Sequence, residues 1–501
     1  MPHISILNSW IRRLLFATAA VSGVLLLLRA VVGPFGPVNN PLNLESALAL
    51  SVLLMLLSSQ GTAKQTGRPN LQWSWAIVGI VAVVAYIPIL SMPLVTDDYI
   101  HLHQISTGAA PTALECLTHS CGGPRFFRPA GFATYWAEWK LWRTAAMPRH
   151  AFDLLLHAAC SLLFLLLLRR LGTPPPFDWL GGLLFAMNGL GPESVAWPGA
   201  RFDALAVTFS LVAAIAVLRG TRWAAAVSLA ATAFACLSKE SAYVLPVLLA
   251  LLLGRSLRTR AGRLLAAGNC AVAGGIFAWR WWVLKGIGGY VEQSGAPTVM
   301  QWGAFKLMKT FLWRIWGVLW FPVNWSTPLE VWLMLGLAFG IAGSLALFRA
   351  RPDRTRLWLC ALGVAVACIP VHHMLLIGPT LERSRYLTYA VPAFVLLLVT
   401  ACLGLPRWAG TAALSLILAF QVAAQTHNLI IWRSVATARY NLCRSIAERA
   451  RATPGVLAID NIPLIVDGVY WRNGLEECMA LEFAVPMGKV RVSETAQKIT
   501  Q

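Results

Sequence analysis

The sequence predicts an all-α polytopic membrane protein with about 13 transmembrane helices. Three observations carry that prediction. The 501 residues are 57% hydrophobic and only 12% charged, with a mean hydropathy of +0.64. Apolar runs of bilayer-spanning length recur along the whole chain. Basic residues gather at alternate ends of those runs: Arg12 and Arg13, Lys64 and Arg68, Arg169 and Arg170, Arg219 and Arg222, Arg255 to Arg263, Arg349 to Arg356, and Arg407. Only Asp178 and Asp353 stand among them, which is the positive-inside pattern and sets the orientation. A formal charge of +20 in a soluble chain would point to nucleic acid. Here membrane topology accounts for the placement, so no nucleic-acid partner is expected.

From a cytoplasmic N-terminus, spans fall at residues 14–32, 44–58, 73–92, 150–168, 176–191, 204–218 and 223–237, then at 243–253, 264–284, 330–348, 357–371, 387–403 and 408–424. The odd number places the C-terminal end outside and every basic cluster inside. The first run follows Arg12 and Arg13, lacks a small-residue cleavage site and remains as an anchor. Arg29 near its outer end snorkels to the interface. Residues 305–321 are apolar but carry Lys306, Lys309 and Arg314, as expected of an amphipathic helix on the outer surface or partly re-entrant. The loop 93–149 is too long for an idle connection. Its stretch 126–142 reads as interfacial helices with Tyr135, Trp136, Trp139 and Trp142 at headgroup level. Cys116 and Cys121 lie in this outer loop, where a short disulfide is expected. Beyond residue 424 an amphipathic helix over 432–452 ends at Thr453-Pro454-Gly455, and strands follow at 456–459 and 469–471. The chain thus divides into two extra N-terminal helices (1–72), a transmembrane core (73–427) and a small outer α/β segment (428–501).

Two adjacent carboxylates, Asp97 and Asp98, stand where the 73–92 span leaves the bilayer, and such charges are costly so near hydrocarbon. Asp97 reads as a catalytic base; the competing roles are solvated loop residues or the cap of a following helix. Four further polar stretches face the same side. They are Gly122 to Pro129 with Arg125 and Arg128, Gly191 to Asp203 with Glu193 and Arg201, Leu237 to Ser241 with Lys239 and Glu240, and Glu382 to Leu387 with Arg383 and Arg385. Acids and bases converging on one face are what an active site at a membrane surface requires. His101, His103, His119, His372 and His373 show no zinc spacing. Asp97 and Asp98 are able to hold a divalent cation, Mg or Mn, but the chemistry is expected to be metal-free.

These motifs resemble the GT-C glycosyltransferases that take a sugar from a polyprenyl-phosphate carrier. They are most similar to bacterial relatives of the tetratricopeptide-containing transmembrane O-mannosyltransferases. That family's acidic pair and aromatic, its "RPL" turn and its "HllnallvylLlrrL" helix resemble Asp97-Asp98-Tyr99, Arg128-Pro129-Ala130 and residues 157–171. Its "EaVaWisGRkDlLa" resembles 193–206, and its "LSKE" is Leu237-Ser238-Lys239-Glu240. Its "ERYLYLPS" resembles 382–392 with an insertion, and its "lP…GayvfrnG" resembles Ile462-Pro463 and 468–474. The likeness runs from Leu94 to the C-terminus. Asn188 to Pro192 replaces the family's "HPLHVE", no tetratricopeptide array follows, and two spans precede Trp73 beyond an eleven-span core.

The resemblance implies a GT-C fold in a bacterial inner membrane, with the active site on the periplasmic face. It implies an enzyme moving a hexose or pentose from a polyprenyl-phosphate-linked donor to a glycan, lipid or protein acceptor among membrane lipids. Asp97 would take the acceptor proton, with Asp98 sharing or orienting that role or capping a helix. Arg385, Arg201, Lys239 and Arg128 would hold the donor phosphate, the alternative for Arg201 and Lys239 being lipid headgroups. Tyr99, Glu193, Glu240, Tyr386 and His157 are the expected substrate contacts; for the two glutamates the alternative is structural pairing, and for His157 a satisfied core position. The competing function is a transporter or flippase of lipid-linked sugars, which would show internal repeats and charges near the midplane.

Overall fold

The computed structural model describes residues 2–32, 41–57, 73–292, 295–327, 336 and 351–492. The first helices are α1 (Pro2–Val32), α2 (Pro41–Leu57), α3 (Trp73–Val84), α4 (Asp97–Ser106), α5 (Pro129–Trp142), α6 (Ala146–Arg170), α7 (Phe177–Ala186), α8 (Gly191–Ala196) and α9 (Arg201–Arg219). They are followed by α10 (Arg222–Ser238), α11 (Leu245–Leu253), α12 (Arg260–Leu284), α13 (Ala304–Lys309), α14 (Ile315–Trp320), α15 (Arg354–Cys368), α16 (Val391–Cys402), α17 (Arg407–Ala452) and α18 (Leu475–Phe483). Local chemistry sets many of these boundaries. Thr221 and Thr259 accept hydrogen bonds from the backbone N–H of Ala224 and Gly262, capping α10 and α12, and Asp353 does the same for α15 through Arg356. Proline opens α5, where its missing N–H costs nothing.

Seven of the described segments are long and apolar enough to cross a membrane: Trp73–Ser91, Ala146–Arg170, Pro198–Arg219, Glu240–Arg258, Arg260–Leu284, Arg354–Met374 and Arg407–Ala452. Five shorter apolar helices, Arg13–Leu26, Pro41–Leu57, Phe177–Ala186, Arg222–Ser238 and Val391–Cys402, fall on five more of the expected spans. The molecule is an all-α polytopic membrane protein. The expected span at 330–348 lies almost wholly outside the described residues. The main core runs through the facing sides of α6, α7, α9, α15, α16 and α17, and α9 packs along both α6 and α10.

Three expectations change. Residues 408–424 and 432–452 are not separate helices: α17 runs unbroken for 46 residues through the expected boundary at 427/428, because Gln425 to Ile431 contains neither glycine nor proline to stop it. The 305–321 segment is not a single surface helix. A π-helical turn, Thr310–Arg314, separates exposed α13 from α14, which is buried along its whole length, and α14 packs against α2. The disulfide joins Cys443 of α17 to Cys478 of α18, while Cys116 and Cys121 are buried free thiols, Cys121 Sγ lying 3.9 Å from the Cys116 carbonyl oxygen.

The tail holds β1 (Leu457–Ile459) paired in parallel with β4 (Val490–Val492), and β2 (Ile465–Val466) paired antiparallel with β3 (Val469–Tyr470). Buried amides stitch it to the bundle and satisfy backbone groups that hydrocarbon would leave bare. Asn428 Nδ2 donates to the carbonyls of Gly189 (2.8 Å) and Pro322 (2.7 Å), Asn324 N–H donates to Asn428 Oδ1 (2.9 Å), and Asn324 Nδ2 donates to the Asp467 carbonyl (3.0 Å).

Candidate active site

The acid pair begins a helix. Thr96, the residue before α4, has φ 46° and ψ −117°, a region a β-branched residue rarely enters and one that costs on the order of 1–3 kcal/mol. Its own hydroxyl is buried with no partner among the described residues, and Asp98 reaches back to the residue ahead of it. Val95 N–H donates to Asp98 Oδ2 at 3.1 Å and the Tyr135 hydroxyl donates to Asp98 Oδ1 at 3.0 Å. Burial lifts the Asp98 carboxyl to about 7. Asp97 is half-buried, and its carboxylate makes no hydrogen bond or ion pair with any described residue. Of the two acids, Asp97 is the one with open oxygens. One turn on, His101 is buried among Phe132, Tyr135 and Phe202, with Nδ1 unpartnered among the described residues. Desolvation lowers its pKa, as does the charge of Arg128, against the opposing pull of Asp97.

Phe202 joins this helix to a second feature. The Arg128 guanidinium carbon lies 5.3 Å from the Phe202 ring and 4.0 Å from the Phe126 ring, while His101 meets the Phe202 ring edge-on. Arg128 grips Glu240 with two nitrogens, Nε at 3.1 Å and Nη2 at 2.8 Å. Arg280 Nη2 stands 3.8 Å from the same carboxylate, and Lys239 Nζ donates to Asp203 Oδ2 at 3.0 Å. Arg128, Lys239, Glu240 and Arg280 line a cavity of about 200 Å³ together with His373 and the aromatic residues Phe126, Tyr243, Phe277, Tyr290 and Tyr386. Three cations and the carboxylates Glu240 and Asp203 leave one surplus positive charge beside it. Burial lowers the Lys239 ammonium to about 8. Two buried polar atoms of the lining, the Tyr243 hydroxyl and His373 Nδ1, have no partner among the described residues. Such a pocket fits an anion carrying a flat or hydroxylated ring.

Arg128, Lys239, Glu240 and Tyr386 therefore share one cavity, with Arg385 directly behind Tyr386. The Arg385 guanidinium carbon sits 4.3 Å from the Trp197 ring and 4.7 Å from the Tyr386 ring. Other expected contacts are committed elsewhere. Glu193 is not open to a substrate: it accepts from Ser384 Oγ (2.7 Å), from Arg385 N–H (3.0 Å) and from the Arg385 guanidinium, and so positions that arginine. Arg201 is 1% exposed and forms ion pairs with Asp153 and Glu138, the latter shared with Arg149. No donor is left for a phosphate, and the ion pairs offset the cost of burying that charge. His157 meets the Tyr86 ring edge-on and stacks on Phe185 with Nε2 3.0 Å from the Ala186 carbonyl, a core histidine. Tyr99 is buried beneath Arg439 rather than facing the cavity. Val95 N–H and the Tyr135 hydroxyl each engage one Asp98 oxygen, and among the described residues no group of three or more potential metal ligands gathers.

Sequence reasoning passed over Arg280, Tyr243 and Tyr290 in the cavity, and Arg439 behind the acid pair. Arg280 carried a usable signal, since an arginine inside an apolar run marks function by default. No family model matches the chain, and no curated protein matches it. Among solved structures it is similar to ArnT from Cupriavidus metallidurans bound to undecaprenyl phosphate. That alignment has a TM-score of 0.44 and 14% identity and covers 85% of this chain and 87% of that one. The apo state of the same ArnT aligns with a TM-score of 0.45 and 13% identity over 84% of this chain and 86% of that one.

Proposed function

We propose that the chain is an integral-membrane glycosyltransferase of the GT-C type that moves a sugar from a polyprenyl-phosphate carrier to a hydroxyl acceptor on the periplasmic face of a bacterial inner membrane. The observation that carries this is a surplus-positive, aromatic-walled cavity linked through Arg128, Phe202 and His101 to a helix that offers one carboxylate unpaired among the described residues. In the reaction, Asp97 takes the acceptor O–H proton while the acceptor oxygen forms a bond to the sugar's anomeric carbon. The bond from that carbon to the carrier phosphate breaks, and its electron pair leaves with the phosphate. Lys239, Arg128 and Arg280 stabilise the negative charge that develops there. Tyr386, Tyr290 and Tyr243 offer ring faces and hydroxyls to the sugar, and Arg385 supports Tyr386 from behind. The acceptor is a glycan, a lipid or a protein.

Asp97→Asn keeps size and polarity and removes the base. With an undecaprenyl-phosphate-linked hexose as donor in detergent, the variant is expected to lose about 10² to 10⁴ in transfer rate at normal abundance and melting temperature. Transfer equal to wild type removes Asp97 as the base. Donor that crosses vesicle bilayers without ever being consumed identifies a flippase instead.

A further inference from the structure

A second cavity, of about 320 Å³, lies within the spans between α6, α9, α11, α15 and α16, and its chemistry is the reverse of the first. Small residues on the facing helices make the room: Ala214, Gly363, Ala367 and Ala393 stand where larger side chains would close it. Leucines supply most of the remaining wall, and one of them, Leu359, is 37% exposed, so the lining continues onto the lipid-facing surface. Two of the polar groups engage one another, Ser210 Oγ and the Tyr389 hydroxyl lying 2.8 Å apart. None of the buried polar side-chain atoms left without a partner among the described residues belongs to this lining, whereas the first cavity has two. Nothing here calls for water or for a sugar. Apolar cavities of about 150 Å³ already stay dry and bind apolar guests.

The one charged residue of the described lining, Arg356, stands at the end away from Tyr389. Along α15 the lining runs from Arg356 to Ala367, about 16 Å at 1.5 Å per residue, and along α16 it covers the same rise from Leu403 back to Pro392. Arg351 N–H donates to the Gly404 carbonyl at 2.9 Å, which sets these two helix ends level. That length is the hydrocarbon of one leaflet, half of about 30 Å. Cations gather at this end. Arg351 and Arg354 are exposed just ahead of Arg356, exposed Arg170 adjoins the lining residue Leu171, and Arg407 donates to the Pro175 carbonyl at 3.3 Å, near the lining residue Thr173. The acids here are Asp178, ion-paired with Arg169 at 2.9 Å, and Asp353, 3.5 Å from Arg356 Nε. The second pair is exposed on both sides, and such pairs are weak, so a phosphate competes for the guanidinium.

We propose that this cavity holds an acyl chain of an anionic phospholipid from the cytoplasmic leaflet, with the lipid phosphate on Arg356 and its neighbouring arginines. The proposal rests on the orientation read from the basic loops and not on the transfer reaction. An apolar slot one leaflet long that ends in a cluster of cations matches such a lipid twice, the chain by buried area and the headgroup by charge. The sugar carrier fits less well. Its phosphate belongs at the first cavity, and towards that side the slot offers only the Ser210–Tyr389 pair.

The test adds dioleoyl phosphatidylglycerol or dioleoyl phosphatidylcholine, which share their chains, to the full-length protein in detergent and counts bound lipid by native mass spectrometry. Wild type is expected to bind phosphatidylglycerol about tenfold more tightly than phosphatidylcholine at low salt, with the preference shrinking as salt is raised. Arg356→Gln is expected to bring the two lipids close to equal, and Ala214→Phe, which fills the slot, to weaken both by about tenfold or more. Equal binding of the two lipids by wild type overturns the proposal, as does an Ala214→Phe variant that folds and binds phosphatidylglycerol as wild type does. If that variant does not fold, the wild-type and Arg356→Gln comparisons decide alone. Undecaprenyl phosphate that displaces phosphatidylglycerol at equal concentration makes the slot part of the carrier's own site and overturns the proposal too. Protein that transfers no sugar gives the same binding result, so failure of the proposed reaction leaves this test intact.

Discussion

Asp98 shows how one buried side chain couples folding to pH. Its carboxyl is lifted to about 7 by burial from an ordinary 3.8, so between those values the folded chain holds a proton that the unfolded chain has released. Bound protons in excess on the folded side mean that this contribution to stability falls as pH rises through that window and is fully present below it. Melting curves of wild type minus Asp98→Asn, taken in detergent from pH 4.5 to 8, are expected to show that downward slope; a flat difference removes it. The acid pair was legible in the sequence because two adjacent carboxylates at a span's edge are expensive. Its division of labour was not, because Tyr135 and the Val95 N–H that engage Asp98 are brought there by tertiary packing. Arg201 and Glu193 misled for a related reason. Spacing shows that a charge faces the right side, but not that Asp153, Glu138 or Arg385 already occupies it.

At the scale of elements, hydropathy found the long apolar helices well, since hydrocarbon leaves the backbone little choice but helix. It failed where no breaker residue marks an end, as in α17, and where a helix buries itself in protein rather than lipid, as in α14. Cysteine pairing failed too, because Cys443 and Cys478 are 35 residues apart and only the packing of α18 against α17 brings them together. Under denaturing, non-reducing conditions, peptide mass analysis is expected to find Cys443 linked to Cys478 and both Cys116 and Cys121 alkylated as free thiols. A Cys116–Cys121 linkage would reverse that assignment.

Over the whole molecule, the charged loops sort to two ends. Arg128, Glu193, Lys239, Glu240 and Arg385 are drawn together at one end by ion pairs between different loops, and the basic clusters near Arg169, Arg219 and Arg255 lie at the opposite ends of the same helices. A reporter fused after Arg354 is expected to read as cytoplasmic and one fused after Gly455 as periplasmic. Signals on the same side would break the alternation on which the orientation rests. The single rod of α17 ties these two ends to one another. From Arg407 to Arg439 it measures about 48 Å at 1.5 Å per residue, against a hydrocarbon thickness of about 30 Å. Arg439, over the Tyr99 ring of the helix that carries the acid pair, therefore stands a fixed distance along the rod from Arg407, set by a count of residues, so a thicker or thinner bilayer is expected to raise or lower the headgroups against a mark that does not move.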